Sequence, residues 1–331
     1  MLNPLLKLNT KIFNQDVEKG ETRKGAGQGL VKAGIDNKNI VVLCADLTES
    51  TRVNFFAEQF PERFIQIGIA EQNMAAVASG IASVGKIPFI SSYGIFNPGR
   101  NWEQIRTTIC YNNQPVKIIG SHAGLSVGPD GGSHQALEDI ALTRVLPNMV
   151  VISPADQIEA KKAIMTCSLT KDPTYIRLTR NSTPIITTEE TPFAIGKAQI
   201  IYLPDVGLAH VGIIATGPIL YKAIIAAHEL GKEGIKTKVM NLSTIKPLDK
   251  EAILSLAKET KAIVTVEDHQ IAGGMGSTIA EFLSQNYNIP IEFIGVENSF
   301  GQSGTPLELE KYYHIDILDI IEKVKKVLKR K

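Results

Sequence analysis

The stretch MVVISPADQIEAKKAIMTCSLTKDPTYIRL, residues 149–178, decides the fold. Met149-Val150-Val151-Ile152 is a short apolar run rich in β-branched residues, which reads as a buried strand. Asp156 to Leu169 is longer and amphipathic and reads as a helix. Thr174-Tyr175-Ile176-Arg177-Leu178 returns to strand. A strand, a covering helix and a second strand in one stretch form the unit of a parallel sheet.

The same rhythm runs outward in both directions. Toward the N-terminus lie the runs Ile40–Ala45, Phe64–Ile67, Pro88–Ser92 and Val116–Ile119. The segments Glu71–Val84, Trp102–Tyr111 and Ala136–Leu146 read as helices between them. The alternation breaks over 186–204, where Thr187, Thr188, Glu189, Glu190, Thr191 and Pro192 crowd together as a linker. It restarts with strands at 211–215, 239–242, 262–266 and 291–296, and with helices at 218–230, 249–258 and 275–285. The fold class is therefore α/β, with two doubly wound, mostly parallel domains at 1–185 and 205–331. The tail Glu322 to Lys331 carries six positive charges and reads as the solvated face of a last helix.

The chain has 331 residues, 44% apolar and 21% charged, which excludes a disordered or collagen-like protein. Thirty-five Lys and Arg against 34 Asp and Glu leave a net charge of +1, so nothing points to nucleic acid or an anionic membrane. A small anion held by a few arginines stays allowed. Cys44, Cys110 and Cys167 are scattered and form no CxxC pair, which argues against a disulfide scaffold or a thiolate zinc site. No apolar run approaches about 18 residues. Asn3, Pro4, Lys7 and Asn9 interrupt the N-terminus, so no secretory signal is read there. The expectation is a soluble cytoplasmic protein without a membrane span.

Three groups of residues could carry chemistry. In Gly68-Ile69-Ala70-Glu71-Gln72-Asn73-Met74 a carboxylate sits among apolar residues, where burial favours its protonated form; complementing a helix dipole is the plainer role. The loop from His122 to Gln135 sets two histidines and Asp130 among four glycines just after a strand end. That is where open parallel sheets bind ligands, and glycine permits close backbone approach. Arg23, Ser50, Arg177 and Arg180 are scattered cation and hydroxyl positions, and arginine forks suit phosphate. Arg177 and Arg180 should face differently. Gly25-Ala26-Gly27-Gln28-Gly29 is not preceded by a strand, so it is no dinucleotide fingerprint. Gly273-Gly274-Met275-Gly276 opens a helix and could form an anion site or only a close packing point.

In their order and spacing these segments resemble the transketolase family of thiamine-diphosphate enzymes. The matching stretches are Ala45-Asp46-Leu47, Gly68 to Met74, Ser121-His122-Ala123-Gly124, Asp130 to Gln135 and Pro154-Ala155-Asp156. The resemblance covers the family's pyrimidine-binding and C-terminal domains. The GDG segment that holds magnesium and diphosphate in the family is missing. The resemblance therefore implies the C-terminal subunit of a split transketolase. A separate diphosphate-binding subunit would hold most of the Mg2+, and an α2β2 heterotetramer would be built on a homodimer core. It gives Glu71 the role of sharing a proton with the cofactor's aminopyrimidine. Tyr93, Phe96 and Asp46 become cofactor-pocket residues. Arg23, Ser50, His122 and Arg180 fall where the family binds a sugar's phosphate. Asp130 and His134 fall at its hydroxyls, with His134 counted as catalytic beside Glu71. Arg177 then reads as structural, and Glu267, Asp268 and His269 take no role. Pro129 and Asn97-Pro98-Gly99 depart from the family pattern. The β subunit of a 2-oxo-acid dehydrogenase decarboxylase and a 1-deoxyxylulose-5-phosphate synthase-like enzyme are the alternatives.

Overall fold

Each apolar run pairs with another, and the amphipathic segments cover the sheets that result. The chain begins with β1 (Lys19–Glu21), α1 (Thr22–Asp36), β2 (Ile40–Cys44), α2 (Asn54–Gln59), β3 (Phe64–Gln66), α3 (Glu71–Ser83) and β4 (Ile87–Tyr93). α4 (Trp102–Gln104) continues as a wider helix over Ile105–Cys110, followed by β5 (Lys117–Ser121), α5 (Asp139–Arg144), β6 (Val150–Ile152), α6 (Gln157–Cys167), β7 (Thr174–Arg177) and β8 (Ser182–Pro184). A second run comprises β9 (Gln199–Tyr202), β10 (Val211–Ala215), α7 (Leu220–Lys232), β11 (Thr237–Asn241), β12 (Thr244–Lys246), α8 (Lys250–Thr260), β13 (Ile263–Gln270), α9 (Met275–Asn286), β14 (Ile291–Val296), α10 (Pro306–Tyr312) and α11 (Ile317–Leu328). The computed structural model describes residues 1–331.

The first sheet runs β6-β7-β5-β4-β2-β3, all parallel. The second runs β14-β13-β10-β11-β9, parallel except for β9. Every residue of β2, β5 and β10 is buried, as a sheet covered on both faces requires. Each of these Val, Ile and Leu side chains contributes roughly 1.5–3 kcal/mol on burial.

Four features differ from the sequence reading. β9 lies inside the stretch read as a linker, and β12 leaves the second sheet to pair antiparallel with β6 of the first. The N-terminus packs on the second sheet, where Leu2 bridges Tyr202 and Leu8 and Ile12 join its core. α5 starts at Asp139 and not at Ala136, because Ala136 is held extended in a bridge to Ala123. The run Gly25 to Gly29 is a packing surface. A Cβ on Gly25 would collide with the Gln157 carbonyl and one on Gly29 with the Lys161 carbonyl, so α1 lies directly against α6.

Candidate active site

The carboxyl ends of β2, β4, β5 and β7 open on one side of the first sheet. Glu71 is the first residue of α3 there and is 2% exposed. It does not stand alone among apolar side chains, as the sequence suggested. Arg100 Nη1 donates to its Oε2 at 3.1 Å, and the guanidinium lies 4.8 Å above the Phe96 ring. The Asn101 amide donates to the Glu71 backbone carbonyl at 3.2 Å and to Asn97 Oδ1 at 2.9 Å. Asn97 in turn donates to the carbonyls of Ile90 and Ile119. The Asn97-Pro98-Gly99 departure thus contains a buried bracket that fixes Arg100 and Phe96 beside Glu71. The hydroxyls of Ser91 and Ser92 and Oδ1 of Asn101 are buried without a partner at this end of β4.

A second pocket forms around His122, at the end of β5. Thr22 joins α1 to the segment after β7: its hydroxyl accepts from Thr179 N–H at 2.9 Å. That link brings Arg23 and Arg180 to the same place. Arg23 Nη1 donates to the Ser50 carbonyl at 2.7 Å and to His122 Nε2 at 3.4 Å. A guanidinium can only donate, so Nε2 is the acceptor and Nδ1–H donates to Ser121 Oγ at 2.9 Å. Arg180 Nη1 donates to the Val127 carbonyl at 2.6 Å. Burial, reinforced by Arg23, Arg180 and Arg52, pushes the His122 imidazole down to about 3, so it is neutral at pH 7. Ser50 contributes its carbonyl to Arg23. Sequence reasoning missed Arg52 and Arg100, which lie outside the matching stretches; Arg52 stands two residues after Ser50 and Arg100 four after Phe96, and that nearness to named candidates was the available signal.

Aromatic rings connect the two centres. Tyr93 stacks on His122 with ring centroids 3.9 Å apart, and His134 sits edge-on to Phe96 at 5.7 Å and to Tyr93 at 6.3 Å. Tyr93 therefore backs the His122 cluster, and Phe96 sits nearer Glu71. His134 Nδ1 lies 3.0 Å from Ser133 Oγ. Asp130, at the end of the tight turn Gly124–Asp130, is exposed. Asp46, at the end of β2 with φ +58°, is also exposed, and its backbone N–H donates to Gln66 Oε1 at 2.8 Å. The structure brings Arg23, Ser50, His122 and Arg180 together, and Glu71 with Phe96. It leaves Asp46 and Asp130 at the rim.

The remaining candidates lie in the interior. Arg177 is 3% exposed and paired with Asp139 at 2.9 Å. Glu267 accepts from the Met275 and Gly276 N–H groups at 2.7 and 2.8 Å, so the N-terminus of α9 holds an internal carboxylate. Asp268 accepts from Leu125 N–H, and His269 Nε2 accepts from Ile140 N–H at 3.2 Å. Asp268 and His269 thus tie the segments around Leu125 and Ile140 to β13, whereas Glu267 serves the start of α9. No helix is long and apolar enough to cross a membrane.

Fold and site define a two-domain α/β protein with a buried acid and a cluster of guanidiniums around a neutral histidine at the carboxyl ends of its first sheet. The chain belongs to the transketolase family and corresponds to its C-terminal section. The family model described as the transketolase pyrimidine binding domain matches residues 18–185, and the transketolase C-terminal domain matches 205–320. A Methanocaldococcus jannaschii protein bearing the name transketolase C-terminal section is 44% identical over 93% of this chain and 96% of its own length. A 6-deoxy-6-sulfo-D-fructose transketolase subunit of Clostridium sp. is 37% identical over 88% of the chain and 89% of that protein. Human transketolase is 36% identical, and the chain spans 48% of it. Among solved structures, a split gene transketolase described as an inactive β4 tetramer superposes with a TM-score of 0.87 at 42% identity. It covers 93% of this chain and 98% of that one. The resemblance read from the motifs and the α/β class both stand, and the family implies thiamine diphosphate as cofactor.

Proposed function

We propose that this chain is the C-terminal subunit of a split transketolase that moves a two-carbon ketol unit between sugar phosphates, with a separate subunit binding the diphosphate. The elements from β1 to β8 serve as the pyrimidine-binding domain, and those from β9 onward as the C-terminal domain, on whose sheet the N-terminal segment around Leu2, Leu8 and Ile12 packs. The observation that carries this reading is the joint placement of Glu71 with Phe96 and of Arg23 and Arg180 around a neutral His122. The two groups sit at the carboxyl ends of the sheet's strands, joined by the Tyr93, His122 and His134 rings.

These residues fit the pyrimidine end of the cofactor. A carboxylate stands beside an aromatic face, and Ser91, Ser92 and Asn101 keep unpartnered polar atoms in the same region. When bound, thiamine diphosphate supplies the carbon nucleophile and the electron sink for the ketol fragment. Glu71 would hold and return a proton at its carboxylate toward the aminopyrimidine. Phe96 and Tyr93 line the flat ring, and Asp46 lines the rim of the cofactor pocket. Arg23, Arg180, His122 and the Ser50 turn bind the sugar's phosphate and fix its register. His134 and Asp130 orient the hydroxyls, and His134 is placed to exchange a proton with a substrate oxygen. Mg2+ falls to the partner subunit; no cluster of three or more His, Cys, Asp or Glu side chains in this chain is placed to hold a metal. The assembly is an α2β2 heterotetramer on a homodimer core. The guanidinium pocket favours this reading over a 2-oxo-acid dehydrogenase β subunit, whose substrates carry no phosphate. Relatives named 1-deoxy-D-xylulose-5-phosphate synthase, 35% identical over 91% of this chain, keep that reaction as the second reading.

The test is reconstitution with the diphosphate-binding subunit and an assay of ketol transfer from a ketose phosphate. The chain alone is expected to be inactive. Glu71→Ala should lower kcat of the complex by about 10²-fold or more. A loss below tenfold, or full activity of the isolated chain, refutes the proposal.

A further inference from the structure

Two charged residues beside the anion pocket have no part in the scheme above. Glu21 ends β1, and Arg52 follows the turn after β2 with φ +64°. The turn lies against α1 at Gly27, where a Cβ would collide with the Arg52 carbonyl. Glu21 Oε2 accepts from Arg52 Nε at 3.1 Å and Nη2 at 3.0 Å. Glu21 Oε1 accepts from Arg23 Nη2 at 3.2 Å. One carboxylate therefore spans two guanidiniums, one of which already touches His122. The Arg23 side chain is 13% exposed, Glu21 21% and Arg52 35%, so the cluster is partly withdrawn from water yet open to a ligand. Arg23 Nε is buried with no acceptor.

We propose that Arg52 is a further ligand for the anionic end of the sugar substrate, and that Glu21 is the internal anion occupying Arg52 and Arg23 until that end arrives. The inference rests on the sugar-phosphate reading of the pocket and adds what sets its charge preference. Arg23, Arg52 and Arg180 against Glu21 leave a net charge of +2 around a neutral His122. A phosphate monoester is close to a dianion above its second pKa of about 6. A sulfonate in the same position carries a single charge at any working pH. Coulomb attraction scales with ligand charge, so each added unit of pocket charge favours phosphate over sulfonate, and each unit removed narrows the difference. Arg52 strengthens this preference. Glu21 weakens it, because a carboxylate competes for the same donors and eases release.

Opposite signs make the pair testable. Binding of inorganic phosphate to the purified chain at pH 8 is followed by the imidazole resonances of His122 and by calorimetry. In the assembled complex, KM and kcat are measured for a ketose 6-phosphate and its 6-deoxy-6-sulfo analogue. Arg52→Gln should weaken phosphate binding about tenfold or more, as loss of a charge-assisted contact does. KM for the phosphate sugar should rise more than for the sulfonate, with kcat within about threefold. Arg52→Lys, which keeps the charge, should recover most of the loss. Glu21→Gln, which keeps an acceptor oxygen without the charge, should tighten phosphate binding severalfold. Phosphate affinity within twofold of wild type in Arg52→Gln, weaker binding in Glu21→Gln, or no phosphate binding by the wild-type chain overturns the inference. A complex that gives the expected phosphate responses but transfers no ketol group leaves the inference standing and removes the transketolase reading.

Discussion

Asp139 and Arg177 meet where the loop after His134 passes between the two sheets, and removing either should fail in a different way. They are 1% and 3% exposed. Arg177 Nε donates to Asp139 Oδ2 at 2.9 Å and Oδ1 at 3.2 Å, and Nη2 donates to the Asp268 carbonyl at 2.6 Å. Tyr175 OH donates to Asp139 Oδ2 at 2.6 Å. Breaking a buried pair strands the surviving charge and costs about 3–5 kcal/mol. At about 2–4 °C per kcal/mol for a domain of this size, Asp139→Asn should lower Tm by roughly 6–20 °C. The stranded guanidinium cannot give up its proton, so that deficit should be the same at pH 5 and pH 8. Arg177→Met strands a carboxylate, which can take up a proton. The folded variant then binds that proton more tightly than its unfolded chain, a contribution present at low pH and lost as pH rises. Its deficit at pH 5 should be less than half that at pH 8. Thermal melts by circular dichroism at the two pH values decide the matter. An Arg177→Met deficit as large at pH 5 as at pH 8, or an Asp139→Asn loss under about 1 kcal/mol, refutes the assignment of this pair to the fold.

Two further outcomes follow from burial. Gly25→Ala should destabilise by about 1–3 kcal/mol by denaturant melt, because overpacking against the Gln157 carbonyl outweighs the roughly 1 kcal/mol helix gain of alanine; a stabilised variant would mean that α1 is free to move off α6. Burial, with Asp156 nearby, pushes Glu159 up to about 7. The folded chain thus keeps this proton where the unfolded chain has lost it, a contribution complete below the usual carboxylate range and gone above pH 7. The stability of wild type relative to Glu159→Gln should therefore fall by about 2–3 kcal/mol between pH 5 and pH 8. A difference that is constant or grows over that range would contradict the burial of an ionisable Glu159. The comparison needs the variant because His122 and His269, pushed down to about 3 and about 4, impose the opposite slope on the whole chain below pH 6.5.

The fold was legible because most of its information is local. Runs such as Ile40–Cys44 and Val211–Ala215 are apolar at every position, which is what a strand covered on both faces demands. What escaped depended on distant partners. Thr244–Lys246 becomes a strand only because the edge of β6 is open to it, and Gln199–Tyr202 only because β11 needs an edge partner. Neither carries enough periodicity to announce itself. Ala136 belongs by composition to a helix, yet its carbonyl accepts from Gly124 N–H at 2.8 Å, and that contact delays α5 by three residues.

The site was legible as a set of residue types but not as a distribution of charge. Gly273-Gly274-Met275-Gly276 has the form of an anion-binding helix start, and the anion there is Glu267, six residues upstream of Gly273 in the same chain. Glu21 does the same for Arg23 and Arg52, and Asp139 does it for Arg177. Any cation or helix end can take a ligand only to the extent that no internal carboxylate has taken its donors first, and sequence spacing does not report that. Arg177 and Arg180 illustrate the difference three residues apart. Arg177 spends its donors on Asp139 and two carbonyls in the interior, whereas Arg180 gives one Nη to a loop carbonyl and stays at the pocket. A net charge of +1 therefore says little about ligands. What matters is the local excess of guanidinium over carboxylate around His122, which Glu21 lowers by one charge through its pairs with Arg23 and Arg52.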